Sequence, residues 1–228
     1  MYFDPLYFVF ALPALILVFF AQWKVKSTYT KYAKVANMAR ATGAEVAQKL
    51  LAQNNLGFVN VQLTPGELSD HYNPGDKTLN LSAGVANRAS VAAMGIVAHE
   101  VGHAVQDATA FGLMRLRTVL VPVANLGSNL GYILFFLGLV LQVTDLAYLG
   151  IILFGAAVLF TLVTLPVELD ASRRAMIMLR ASGMVSTTEL DGARSMLTAA
   201  ALTYVAALAQ ALAQLLYMVF RAGSRRDD

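Results

Sequence analysis

Hydrophobic and polar positions segregate along this chain into long apolar runs and one extended polar stretch. Four runs, 6–23, 119–143, 148–166 and 199–220, approach or exceed the roughly 20 apolar residues that a bilayer core requires. The polar stretch, 24–118, carries shorter patterns. Residues 27–54 read as one or two helices with a break near Gly43, and Tyr29, Tyr32, Val35 and Met38 recur within them at helical spacing as a packing stripe. Residues 58–63 alternate as a strand does and stop at Thr64-Pro65-Gly66; 70–76 reads as a loop and 77–81 as a second short strand. Ser82 and Ser90 read as helix N-caps, the second opening a helix that ends near Phe111-Gly112. Ser186-Thr187-Thr188-Glu189 has the capping-box pattern and starts a helix that runs into the last apolar run.

These patterns predict a mainly α integral membrane protein with about four transmembrane helices and a small α+β domain carrying a short β-hairpin. The expected divisions are an anchor at 1–23, the polar domain at 24–118, a transmembrane hairpin at 119–166, further helices at 167–198, and a last transmembrane helix and tail at 199–228. Composition agrees, because 57% hydrophobic and 14% charged residues are too few charges for a soluble domain. Lys24, Lys26, Lys31 and Lys34 follow the first run directly, which places that end in the cytoplasm and the N-terminus outside. The run has neither a basic leader nor a small-residue cleavage site, so it reads as a retained anchor. Asn125, Ser128 and Asn129 are expected to face other helices, since lipid offers them no partner. The link 144–147 has no basic residue and reads as external. Counting spans then puts the C-terminus outside, against Arg221, Arg225 and Arg226, which favour the inside. The net charge of +3 belongs beside the spans, so no nucleic-acid partner is expected.

The chain has no cysteine, so a transition metal would have to use imidazole and carboxylate. Two of the three histidines lie in His99-Glu100-Val101-Gly102-His103, an H-E-x-x-H pattern within an apolar, proline-free run. On a helix, His99 and His103 share a face with Cβ atoms about 5–6 Å apart, a spacing that suits one Zn²⁺. Glu100 falls beside such a metal, where a general base for an activated water belongs. Gly102 costs the helix roughly 1 kcal/mol against alanine, which points to a close backbone approach. A buried helix whose histidines bond to carbonyls is the plainer alternative.

A catalytic zinc needs a third protein ligand. Glu168 follows the third run directly, and a two-span hairpin returns it to the side of the membrane from which the second run started. On a helix it shares a face with Ala171, Ser172 and Ala175, which are small enough to pack closely on the motif helix. Asp170 is a rival ligand and His71 a lesser one; Glu168 paired with Arg173 or Arg174, or exposed at a helix N-terminus, is the alternative without a metal.

The segments KVKSTYTKY, SDHYNPGDKTLNLS, SVAAMGIVAHEVGHAVQD and LPVELDASRRA, behind an N-terminal anchor, resemble the bacterial YugP-type membrane zinc metallopeptidases, zinc peptidase family 2, over nearly the whole chain. More distantly the chain is similar to the HtpX and CAAX-prenyl proteases. The resemblance implies a zincin-like cytoplasmic domain, one Zn²⁺, and a multi-pass protein of the bacterial plasma membrane with its site on the cytoplasmic side. The wider group commonly has an acid four residues after the ligand Glu; here Ser172 stands there, and Asp170 or Asp107 are the substitutes.

The expected function is therefore a zinc-dependent endopeptidase. His99, His103 and Glu168 hold the metal, Glu100 shuttles the proton, and His71, Tyr72 or Arg173 stabilises the oxyanion. Thr78, Leu79, Asn80 and Leu81 form an edge that aligns an extended peptide. Expected partners are a peptide or membrane-protein substrate and the lipid bilayer, with a membrane-protein partner or a second copy left open. Two other readings stay open on the residues: a membrane scaffold with a structural metal or none, and a metal-dependent hydrolase of non-peptide substrates.

Overall fold

A computed structural model describes residues 5–224; the readings that rest on Met1–Asp4, Arg225 and Arg226 lie outside the described residues. The elements run α1 (Pro5–Tyr32), α2 (Gly43–Gln53), β1 (Asn60–Thr64), β2 (His71–Asn73), β3 (Thr78–Ser82), α3 (Ala83–Ala86), α4 (Val91–Ala108), α5 (Gly112–Val140), α6 (Thr144–Ser182) and α7 (Thr187–Gly223). They divide into two units. One is built from the described residues up to Gln22, Arg115–Pro166 and those from Leu202 on; the other from Trp23–Met114 and Val167–Ala201.

The four helices α1, α5, α6 and α7 are each long and apolar enough to cross a membrane. In the first unit their outer surface is apolar, with Val9, Ile16, Leu126 and Ile152 largely exposed. Lipid tails are as apolar as leucine, so such helices are held by close packing rather than by exclusion of water. Glycine supplies it between α5 and α6. A Cβ added at Gly131 would stand 2.7 Å from the Gly150 carbonyl oxygen, and one at Gly138 would stand 2.4 Å from the Ala147 nitrogen. Phe135, Ala147, Ile151 and Met218 form the buried cluster beside this seam. Asn125 and Asn129 are exposed and Ser128 is half-buried. Ser128 Oγ and Asn129 Nδ2 donate to the Asn125 carbonyl on their own helix, at 3.3 and 3.0 Å, which satisfies them locally.

In the second unit, α1 continues as helix past the lysines to Tyr32. The stripe read through Tyr29, Tyr32, Val35 and Met38 stops there, and Val35 and Met38 are exposed in the connection beyond. A capping box at Thr42 and Glu45 opens α2. The box expected at Ser186 is present, with Glu189 Oε2 accepting from the Ser186 N–H at 2.7 Å. Glu189 Oε1 also accepts from the Met38 N–H at 2.5 Å, which ties the 33–42 connection to α7.

The sheet has the order β1-β3-β2. β3 pairs in parallel with β1 and antiparallel with β2. This corrects the sequence reading twice. Residues 71–73, read as loop, form β2, a strand too short to show alternation. Thr78, Leu79, Asn80 and Leu81 belong to the central strand and not to an edge: Thr78–Asn80 are paired on both sides, and Leu81 is paired with β1. Burial fits that place: Leu79 and Leu81 are fully enclosed, each worth about 1.5–3 kcal/mol relative to exposure, and Thr78 and Ser82 on the other face are buried too.

The Ser90 side chain caps α4, accepting from the Ala93 N–H at 3.2 Å. The helix is buried along most of its length and packs into a core with Leu50, Leu79, Leu81 and Leu179. Gly102 lies against α6: a Cβ there would stand 2.6 Å from the Ala171 carbonyl oxygen. Gly102→Ala is expected to lower thermal stability by about 1–3 kcal/mol through this overpacking, although alanine is the better helix former. Thermal unfolding of the detergent-solubilised protein measures it; an unchanged or raised midpoint would show that the contact is slack.

Candidate metal centre

On α4, His99 and His103 stand one turn apart, with ring centroids 4.8 Å apart and planes at 85°. Glu168 comes from α6, two residues after Pro166, whose missing N–H interrupts the helix ladder. Its Oε2 lies 3.1 Å from His99 Nε2 and 3.4 Å from His103 Nε2. All three residues are buried, Glu168 to 2% exposure, and their donor atoms lie within 4.8 Å of one another.

The outward sides of both rings are also occupied. Gln106 Oε1 meets His103 Nδ1 at 2.9 Å, and Ser172 Oγ lies 3.2 Å from His99 Nδ1. The two Nε2 atoms are thus turned inward with the carboxylate. Two imidazole nitrogens, one carboxylate oxygen and outer partners on the far ring nitrogens form the donor set of a His₂Glu zinc site. These residues fit a metal.

Glu100 is buried on α4 beside the histidines. Its Oε2 accepts from the Tyr72 N–H of β2 at 3.1 Å. Burial pushes its carboxyl above the ordinary range, against the pull of His99 and His103. Burial alone would lower the His103 imidazole, but the carboxylates of Glu168 and Glu100 outweigh it and raise the group.

The other residues singled out in the sequence are placed as follows. Tyr72 touches the site through its backbone only; its hydroxyl donates to Asp107 Oδ2 at 2.7 Å. That buries the phenol beside a carboxylate and pushes its pKa well up. Asp107 also pairs with Lys77 at 2.6 Å, so it fastens the β2–β3 hairpin to α4 and contacts neither histidine ring. His71 is exposed on β2, its Nδ1 2.8 Å from the Ser69 carbonyl. Arg173 is 74% exposed in its side chain and lies 3.6 Å from Asp170. Asp170 reaches the histidines only through Gln106, whose Nε2 donates to Asp170 Oδ2 at 3.0 Å. Ser172, at the position where the wider group has an acid, contacts His99 directly. The sequence reading did not single out Gln106; the signal was its place three residues after His103, on the same helix face.

A family model described as "Putative neutral zinc metallopeptidase" matches residues 7–223. The chain is 42% identical over 223 residues to the "Putative membrane protease YugP" of Bacillus subtilis (strain 168), covering 98% of this chain and 99% of that one. No solved structure matches it. A match across nearly the whole length, shared with a relative of the same extent, means that the chain belongs to this family of neutral zinc metallopeptidases.

Proposed function

We propose that the chain is a membrane endopeptidase that uses one zinc ion held by His99, His103 and Glu168, with its site at the cytoplasmic face of a bacterial plasma membrane. The observation that carries this reading is the buried group of two imidazoles and a carboxylate with a second carboxylate, Glu100, one residue along the same helix. Lys24, Lys26, Lys31 and Lys34 support the cytoplasmic orientation.

Zinc in such a site supplies Lewis acidity, polarising a carbonyl and acidifying water. The remaining work falls to the chain. Glu100 takes the proton of the attacking water and delivers it to the departing amide nitrogen. Its Oε2 is fixed by the Tyr72 amide, so the proton travels on Oε1. Substrate alignment passes from β3 to β2. Tyr72 is paired with Leu79, yet its N–H points to Glu100. The main-chain groups of Tyr72 therefore lie on the outer edge of the sheet, beside the base. An extended segment of a peptide or membrane protein added along His71–Asn73 brings a backbone carbonyl to that position.

Glu100→Gln keeps the Tyr72 bond but cannot carry the proton. Cleavage of an unfolded or membrane-protein substrate is expected to fall by about 10²–10⁴ with zinc still bound; equal cleavage by the two proteins would defeat the proposal. Wild-type protein purified in detergent is expected to hold one zinc per chain by elemental analysis, and His99→Ala and Glu168→Ala to hold little. Retention by both variants would place the metal elsewhere. The raised His103 sets the pH dependence. Metal must displace its proton, so zinc binding is complete above the raised value and weakens as pH falls through it, starting above the ordinary imidazole value of about 6.5. Zinc competition titrations across pH read this directly, and a loss starting only below that value would contradict it.

A further inference from the structure

Gln106 is fully buried, and both polar ends of its side chain are engaged. Oε1 meets His103 Nδ1 at 2.9 Å, while Nε2 donates to the Val167 carbonyl at 2.8 Å and to Asp170 Oδ2 at 3.0 Å. These two acceptors fix which way the amide faces. Turned over, it would set its oxygen against a carbonyl and a carboxylate. In the observed orientation Oε1 can only accept, so His103 Nδ1 keeps a proton at every stage, and Nε2, which faces Glu168, is the nitrogen that gives up its own to a metal. Asp170 is itself held, by Arg174 Nε at 2.5 Å and Arg173 at 3.6 Å. A carboxylate bound to the amide N–H polarises the amide and strengthens Oε1 as an acceptor, which makes His103 Nε2 a better donor to a metal. The same amide grips Val167, the residue before Glu168, so one side chain contacts a ligand on α4 and the turn that carries the ligand on α6.

We propose that Gln106, oriented by Asp170, is a positioning residue for the metal. It fixes the tautomer of His103 and registers His103 against Glu168, and it thereby raises metal affinity above what the three ligands alone provide. The inference rests on the zinc-site reading above. Its test is zinc affinity, measured by chelator competition on full-length protein in detergent, alongside thermal unfolding of the metal-free protein. Gln106→Leu is expected to weaken zinc binding about 10- to 100-fold. Asp170→Ala leaves Gln106 and every ligand in place and is expected to weaken it about 3- to 10-fold, the worth of one hydrogen bond. Asp170→Asn keeps an acceptor oxygen and is expected to recover most of that loss. A purely structural role would lower the melting temperature of the metal-free variants and leave the zinc affinity of folded protein unchanged, and that result would overturn the proposal. Should Gln106→Leu not fold, Asp170→Ala decides: wild-type affinity there overturns it as well. Wild-type protein that takes up no zinc would remove the zinc-site reading itself, a failure visible before any variant is made.

Discussion

Polar donors buried in an apolar interior need their partners at set distances, and here the distance is set by the backbone contact between Gly102 and Ala171. A side chain at Gly102 would meet the Ala171 backbone and push α4 and α6 apart. The separation between the two imidazoles and Glu168 would grow with it. The contact sits within the same turns as the ligands, Gly102 one residue before His103 and Ala171 three after Glu168. Lever arms are short, so little of the helices' flexibility reaches the site. Ala175, one further turn along α6, is also fully buried and continues the same seam of small residues.

The sheet serves the centre through one residue. Tyr72 uses both its ends, its amide on Glu100 and its phenol on Asp107. The first holds Glu100, and the second locks the strand to α4 one helical stretch further on, with Lys77 closing the pair. Rotation of the strand about either bond is resisted by the other. A three-residue strand is otherwise too short to be stiff; here its register comes from side-chain bonds to a helix as much as from its ladder with β3.

Much of this was legible in the sequence, and the reasons are specific. His99 and His103 were visible because an i, i+4 pair is a local pattern that any helix converts into a shared face. Glu168 was visible through topology, because two apolar runs with a short link return the chain to the side it left. Gly102 and the small residues around Ala171 announced close packing. The order of the sheet was not legible. Pairing of β1 with β3 in parallel depends on contacts between distant segments, and β2 lies in a Pro/Gly/Asn-rich stretch whose composition reads as a turn. Two polar residues of α5 misled for a related reason: Ser128 and Asn129 were expected to need a neighbouring helix, whereas the Asn125 carbonyl of their own helix receives them. Gln106 went unnoticed because its significance depends on Asp170 and Val167, far away along the chain.

The second unit is discontinuous: its two parts, Trp23–Met114 and Val167–Ala201, are separated along the chain by an apolar stretch that belongs to the first. Translation delivers the two imidazoles and Glu100 first, and the carboxylate that completes the donor set only after both hairpin helices have been made. A half-synthesised chain therefore holds Glu100 and the two imidazoles but lacks Glu168. Assembly of the centre is tied to completion of the hairpin, and no uninterrupted fragment of the polar portion contains it.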